Sequence, residues 1–244
     1  MSTLKNKAAI VFAGSRGIGR ATSERLGLLG AAVAVGYSSN KTAADGVVKK
    51  ITDAGGTAFS IQVDVSDAHR VGKVFDEVIQ RFGKIDVVVN AAGASAFGPL
   101  AAHTVESFDK VIAVNARGAF NVLSETARRI SDGGRVIHIS TAGTKMPMYG
   151  AGLYAASKAF GEHLALGLSK ELAARGVTVN VVSPGSTDTD GLVMPKEQIQ
   201  AIIGMTPLGR LGQPADIADV IAFLAGDEAR WLTSQNIQVN GGIL

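Results

Sequence analysis

Short apolar, β-branched runs alternate along the chain with longer stretches of helical period. The runs occupy residues 8–13, 32–37, 57–63, 85–90, 135–140, 177–183 and 237–240, and their near-continuous hydrophobicity marks strands buried on both faces. The amphipathic stretches predict helices over residues 17–29, 42–54, 68–82, 105–130, 152–174 and 214–224, the last opening with Pro214 in its first turn. Strands alternating with helices imply parallel strands joined by right-handed crossovers, with helices on both faces. The expected architecture is therefore α/β: a doubly wound, seven-stranded parallel sheet in a single domain spanning residues 1–244. Between residues 186 and 206 the pattern lapses around Gly191, Pro195 and Gly204. That stretch, apolar at Leu192, Val193 and Met194, reads as a mobile lid beside the strand ends.

Composition narrows the function classes. The 46% hydrophobic fraction, 18% charged residues and 30 Gly describe a globular chain with many tight turns. No Cys is present, which excludes disulfides and thiolate metal sites and suits a reducing, cytoplasmic setting. The first residues run from Met1 through Lys7 into a strand without a signal-like apolar region, and no run is long enough to span a bilayer. A net charge of +3 without a basic-aromatic block argues against nucleic acid. His69, His103, His138 and His163 lack ligand spacing, so no metal is expected. Trp231 reads as a core or subunit-contact residue, and Arg128, Arg129 and Arg175 as solvated helix-end charges or docking points for an acidic carrier.

The first strand leads through Gly14, Ser15, Arg16, Gly17, Ile18 and Gly19 into a helix. This is a phosphate-binding context of the Rossmann type: glycines admit close backbone approach, and the helix N-terminus stabilises a pyrophosphate. A carboxylate commonly ends the second strand of NAD binders, yet here Tyr37, Ser38, Asn40 and Lys41 occupy that place. Together with Arg16 they suit a 2′-phosphate, which favours NADP(H) over NAD. Asp64 and Val65 end the third strand, where the carboxylate can accept from an adenine amino group or cap the next helix. Ser66 and Asp67 are better placed for the cap.

Tyr154 and Lys158 stand four residues apart, on one face of a predicted helix. An ammonium beside a phenol favours the phenolate and draws the tyrosine towards useful acidity at neutral pH. Taken together, Ser15 to Gly19, Asn90-Ala91-Ala92-Gly93, Asn115, Ser140-Thr141, Tyr154/Lys158 and Pro184-Gly185 resemble the short-chain dehydrogenase/reductase family. The resemblance extends over nearly the whole chain, to the tail from Asn236 to Gly242. It is closest to 3-oxoacyl-(acyl-carrier-protein) reductases, including Pro207 to Pro214.

The resemblance implies that Tyr154 protonates a carbonyl oxygen as NADPH delivers hydride. Lys158 would lower the phenol's pKa and hold the nicotinamide ribose, while Asn115 would bind a water linking Lys158 to solvent. Asn90 to Gly93 would floor the cofactor site, with Pro184, Gly185, Thr187 and Thr189 flanking the nicotinamide. The family's serine, 13 residues before the tyrosine, is replaced by Thr141, which offers the same O–H donor. Adjacent strand residues face opposite ways, so Thr141 is favoured and Ser140 is second choice. Phe12-Ala13 stand for the usual Thr-Gly, Ala91 for a second asparagine, and Ser234 for a glycine. The implied partners are a small-molecule or carrier-tethered carbonyl substrate and further copies in a homotetramer. Small residues such as Ala155, Ala156, Ala159, Gly161, Ala165 and Gly167 would admit close helix packing. A sugar or polyol dehydrogenase is the alternative, and a non-catalytic NADP sensor a third reading.

Overall fold

The computed structural model describes residues 3–192 and 194–244; Val193 of the expected lid lies outside the described residues. Seven parallel strands form one sheet in the order β3-β2-β1-β4-β5-β6-β7. They are β1 (Ala8–Phe12), β2 (Ala32–Tyr37), β3 (Thr57–Gln62), β4 (Val87–Asn90), β5 (Arg135–Ile139), β6 (Thr178–Pro184) and β7 (Asn236–Val239). The helices are α1 (Gly17–Leu28), α2 (Lys41–Asp53), α3 (Ala68–Phe82), α4 (Val105–Ile112), α5 (Gly118–Arg129), α6 (Gly152–Glu171), α7 (Lys196–Met205) and α8 (Pro214–Ala225). This is the doubly wound α/β fold that the alternation predicts. Chain order reverses between β1 and β4, and a crevice opens at such a switch point beyond the carboxyl ends of the strands.

Side-chain alternation along the strands builds two cores. Ile10 and Phe12 join Phe75, Val122, Ala165 and Leu168 beneath α3, α5 and α6, while Ala9 and Val11 join Leu26, Val47, Ile51, Ile217 and Ile221 beneath α1, α2 and α8. Helix α6 lies unusually close to β5. A Cβ placed on Gly161 would fall 2.3 Å from His138 Nε2, so a side chain at 161 would push the helix off the sheet.

Two elements depart from the sequence reading. The long helix expected over residues 105–130 is interrupted by a π-turn at Ala113–Arg117, which widens the spiral by one residue around Asn115. The stretch expected to be irregular contains α7, a ten-residue helix whose polar N-terminal half obscured its period. Trp231, expected in the core or at a subunit contact, is 95% exposed in the chain and so belongs to no core.

Ala13 (φ 55) and Ser234 (φ 61) occupy left-handed backbone, and both stand where the family commonly has glycine. A Cβ in that region costs about 1–2 kcal/mol, against which glycine loses about 0.4–1 kcal/mol through its freer unfolded chain. Ala13→Gly is therefore expected to raise stability by about 0.5–1 kcal/mol, or roughly 1–3 °C in Tm for a chain of this length. Thermal unfolding checks this; an unchanged or lower Tm would show that the turn is unstrained.

Candidate active site

A cleft of about 420 Å³ opens at the switch point. Ser15, Arg16, Gly17, Ile18 and Gly19 line it from the first turn, Ser38 from the end of β2, and Asp64 and Val65 from the end of β3. Ala91, Ala92, Gly93 and Thr189 complete the expected wall. The turn is shaped for close approach: a Cβ on Gly19 would lie 2.1 Å from the Ala13 carbonyl oxygen. No side chain caps α1 and its first turn holds no acidic residue, so its leading N–H groups face the cleft free for an anion. The donor set and the glycine cradle fit a dinucleotide.

Other expected residues support the cleft from behind. Gly14 is packed on Val11 and Ser23, and buried Tyr37 receives the Val63 N–H on its carbonyl. Asn90 lies beneath the floor, its amide accepting from Ala92 N at 3.2 Å and contacting His138 Nδ1 at 3.3 Å. Pro184 ends β6. Gly185 lines a separate cavity of about 150 Å³ with Val239 and Asn240, and Thr187 donates to the Gly185 carbonyl at 2.9 Å.

The expected 2′-phosphate cluster is only partly assembled. Asn40 lines an adjoining groove with Arg16, Arg20 and Lys50, and its side chain caps α2 by accepting from Ala43 N at 2.9 Å. Lys41 instead turns along α2 to Asp45, 2.6 Å away, because the four-residue spacing places them on one face. Asp64 accepts from the Ser66 N–H and hydroxyl, while Asp67 caps α3, as the spacing implied. Val63, Ala94, Val114, Ile139, Asp190 and Gly191 also line the cleft. Most are small or apolar residues whose type carries no chemical signal, so sequence reasoning passed over them.

Behind the Ala92 wall of the cleft, α6 carries half-buried Tyr154 and, one turn on, Lys158, which is 3% exposed. Lys158 Nζ donates to the Ala92 carbonyl at 3.3 Å. Burial lowers its pKa to about 8, against the attraction of Glu162. The phenol behaves differently from the sequence expectation. Burial raises the Tyr154 pKa, a hydrogen bond with the Thr141 hydroxyl opposes the rise, and Lys158 is not among the causes. Desolvation of the phenolate is the leading cause of the rise.

Of the two candidate hydroxyls, that of Thr141 accepts from the Gly143 N–H at 3.2 Å and acts on the Tyr154 pKa, whereas Ser140 is buried and donates to Glu162 Oε1 at 2.5 Å. Asn115 is committed on three sides: Oδ1 accepts from Ala94 N at 2.8 Å, and Nδ2 donates to Ala94 O at 2.9 Å and to Ser157 Oγ at 2.8 Å. Both amide donors thus bind the β4 loop to α6. Phe97, which the sequence reading missed, places its ring 5.2 Å from that of Tyr154. Leu100, Met148 and Tyr149 are exposed on the same two loops, which are joined by Gly98 N donating to Gly150 O at 2.8 Å.

The chain resembles known proteins over its whole length. A family profile described as "Enoyl-(Acyl carrier protein) reductase" matches residues 12–244. An uncharacterized oxidoreductase of Methylorubrum extorquens is 39% identical, with all of both chains covered. A 3-oxoacyl-(acyl-carrier-protein) reductase of Staphylococcus aureus is 38% identical over 97% of this chain and 98% of its own. Among solved structures, the angucycline C-6 ketoreductase LanV with bound NADP superimposes with a TM-score of 0.94 at 38% identity, covering 100% of this chain and 97% of its own. Fold, glycine turn, tyrosine–lysine helix and these likenesses over the full chain converge: the protein belongs to the short-chain dehydrogenase/reductase family of oxidoreductases.

Proposed function

We propose that this chain is an NADPH-dependent reductase that converts a hydrophobic ketone to a secondary alcohol. The observation that carries the reading is the 3.3 Å contact of Lys158 Nζ with the Ala92 carbonyl, which sets the Tyr154/Lys158 turn of α6 against the wall of a dinucleotide-shaped cleft. Bound NADPH supplies the hydride. The protein's residues do the rest: Thr141 and Tyr154 grip the carbonyl oxygen, and Tyr154 transfers its proton there as negative charge develops. The raised pKa keeps Tyr154 a neutral O–H donor at pH 7, the form that reduction requires. Lys158, charged below about pH 8, supports the phenolate left behind.

Arg16 and Ser38 on the cleft wall, with no carboxylate at the end of β2, support NADPH over NADH. Phe97 against Tyr154, with Leu100, Met148 and Tyr149 exposed on the two loops joined by Gly98 and Gly150, supports an apolar or aromatic ketone, or a 3-oxoacyl thioester, over a sugar. A carrier tether has less support. Arg128 and Arg129 are paired with Glu125 and Asp76, and Arg175 with Asp132, partners that a docking carrier would have to replace. Phe120, Phe160, Phe223 and Trp231 leave exposed apolar surface on which further copies could pack in a homotetramer.

A panel of bicyclic aryl ketones, 3-oxoacyl thioesters and free sugars, each with NADPH and NADH, tests the reading. Oxidation of NADPH with the ketones or thioesters is expected, and turnover of sugars alone would replace it with the polyol reading. Arg16→Ala should raise KM for NADPH about tenfold, the value of one charge-assisted contact, while leaving NADH kinetics nearly unchanged. Equal effects on both cofactors would remove Arg16 from the 2′-phosphate site.

A further inference from the structure

The structure buries a carboxylate immediately behind the proton-transfer groups. Glu162, 4% exposed, follows Lys158 by one helical turn and Tyr154 by two, so all three share a face of α6. Its Oε1 accepts from Ser140 Oγ at 2.5 Å and from Thr144 Oγ1 at 2.7 Å. Those two hydroxyls stand on either side of Thr141 in the chain. Thr144 Oγ1 also contacts the Thr141 carbonyl oxygen at 3.1 Å, and the Thr144 N–H donates to the same carbonyl at 3.2 Å. An apolar residue would fill this helix–strand interface at less expense than a carboxylate, whose burial is tolerable only with donors and a counter-charge. Both are present.

We propose that Glu162 is a positioning residue for proton transfer: its carboxylate gathers the hydroxyls flanking Thr141, fixing Thr141 against Tyr154, and balances the ammonium of Lys158. The groups facing Lys158 are few. Tyr154 and Glu162 approach it along α6, His138 from β5, Asn115 from the π-turn and the Ala92 carbonyl from the β4 loop. His138 is buried and neutral, its pKa lowered to about 3 by desolvation and by the charge on Lys158. Tyr154 is likewise neutral at pH 7. Glu162 is thus the group whose attraction opposes the effect of burial on Lys158.

The proposal rests on the reductase reading for its kinetic arm and is independent of it for its spectroscopic arm. Glu162→Gln retains an acceptor at Oε1 and removes the charge; Glu162→Leu removes both. In Glu162→Leu, kcat for the ketone is expected to fall tenfold or more with KM for NADPH within about twofold, as for loss of a contact made only in the transition state. Glu162→Gln should recover most of kcat at pH 6.5 but lose it at lower pH than wild type on the alkaline limb. NMR of isotope-labelled lysine follows Lys158 directly without substrate, and its titration should move down by about one pH unit in Glu162→Gln. An unmoved Lys158 titration, or a folded Glu162→Leu enzyme with wild-type kcat, overturns the proposal. Should Glu162→Leu fail to fold, the titration in Glu162→Gln decides alone. A wild-type enzyme inert to every ketone would defeat the reductase reading while leaving that titration to judge Glu162.

Discussion

Replacing Tyr154 with phenylalanine will lower kcat by about 10³-fold, within the range of 10²–10⁴ typical of a lost general acid. That is about 4 kcal/mol of barrier. The ring stays in place, because its packing against Phe97 does not involve the hydroxyl. KM for NADPH should therefore change by less than about threefold, the signature of an interaction made only as the proton moves. Thr141→Ala should fall short of this effect, at about 10²-fold, and Thr141→Ser should restore most of the rate by returning the O–H donor. Steady-state kinetics with a ketone substrate checks the series. A Tyr154→Phe enzyme with more than a tenth of wild-type kcat would mean that another group or a water carries the proton.

Lys158→Met will abolish useful turnover and yet stabilise the fold at pH 7, by about 1–3 kcal/mol. The sign follows from linkage. Lys158 binds its proton with a pKa of about 8 in the folded state and 10.5 unfolded, so folding opposes protonation. Below pH 8 the folded chain carries a buried ammonium and the whole penalty, on the order of 3 kcal/mol, is present. Between pH 8 and 10.5 the folded state releases its proton before the unfolded state does, so wild-type stability recovers and the gap to Lys158→Met closes. Methionine fills the same volume without charge. The lower end of the range allows for Glu162, which loses its counter-charge but keeps the Ser140 and Thr144 hydroxyls. Urea unfolding at pH 7 and pH 10 reads both parts of the prediction. A variant less stable than wild type at pH 7, or a gap that does not narrow with pH, would contradict the burial argument.

The two predictions describe one compromise. Residues that transfer a proton must be desolvated to act on a carbonyl, and the same desolvation makes them poor contributors to stability. Glu162 and the shared hydroxyls hold this arrangement from behind, where they join His138 and Lys158 in a buried polar strip between α6 and the end of β5.

Much of this was legible before any coordinates. Strand and helix identities, the glycine turn before α1, the cap at Asp67 and the one-turn spacing of Tyr154 and Lys158 all depend on contacts within about four residues, which periodicity and residue type encode directly. The unusual residues Ala13 and Ser234 were visible as departures, and the backbone shows why they matter: each carries a left-handed φ. What remained hidden depends on which distant residues meet. The Ser140 hydroxyl is taken up by Glu162, 22 residues further on. Phe97 reaches Tyr154 from another loop, and Lys41 is drawn from the cleft by Asp45. The rise in the Tyr154 pKa could not be read from its neighbour one turn away, because it comes from burial by the whole fold. Chain-local geometry was set by the sequence alone, while solvent exclusion and the pairing of remote side chains, which fix the direction of each pKa and the aim of each hydroxyl, came into being only with the packed tertiary structure.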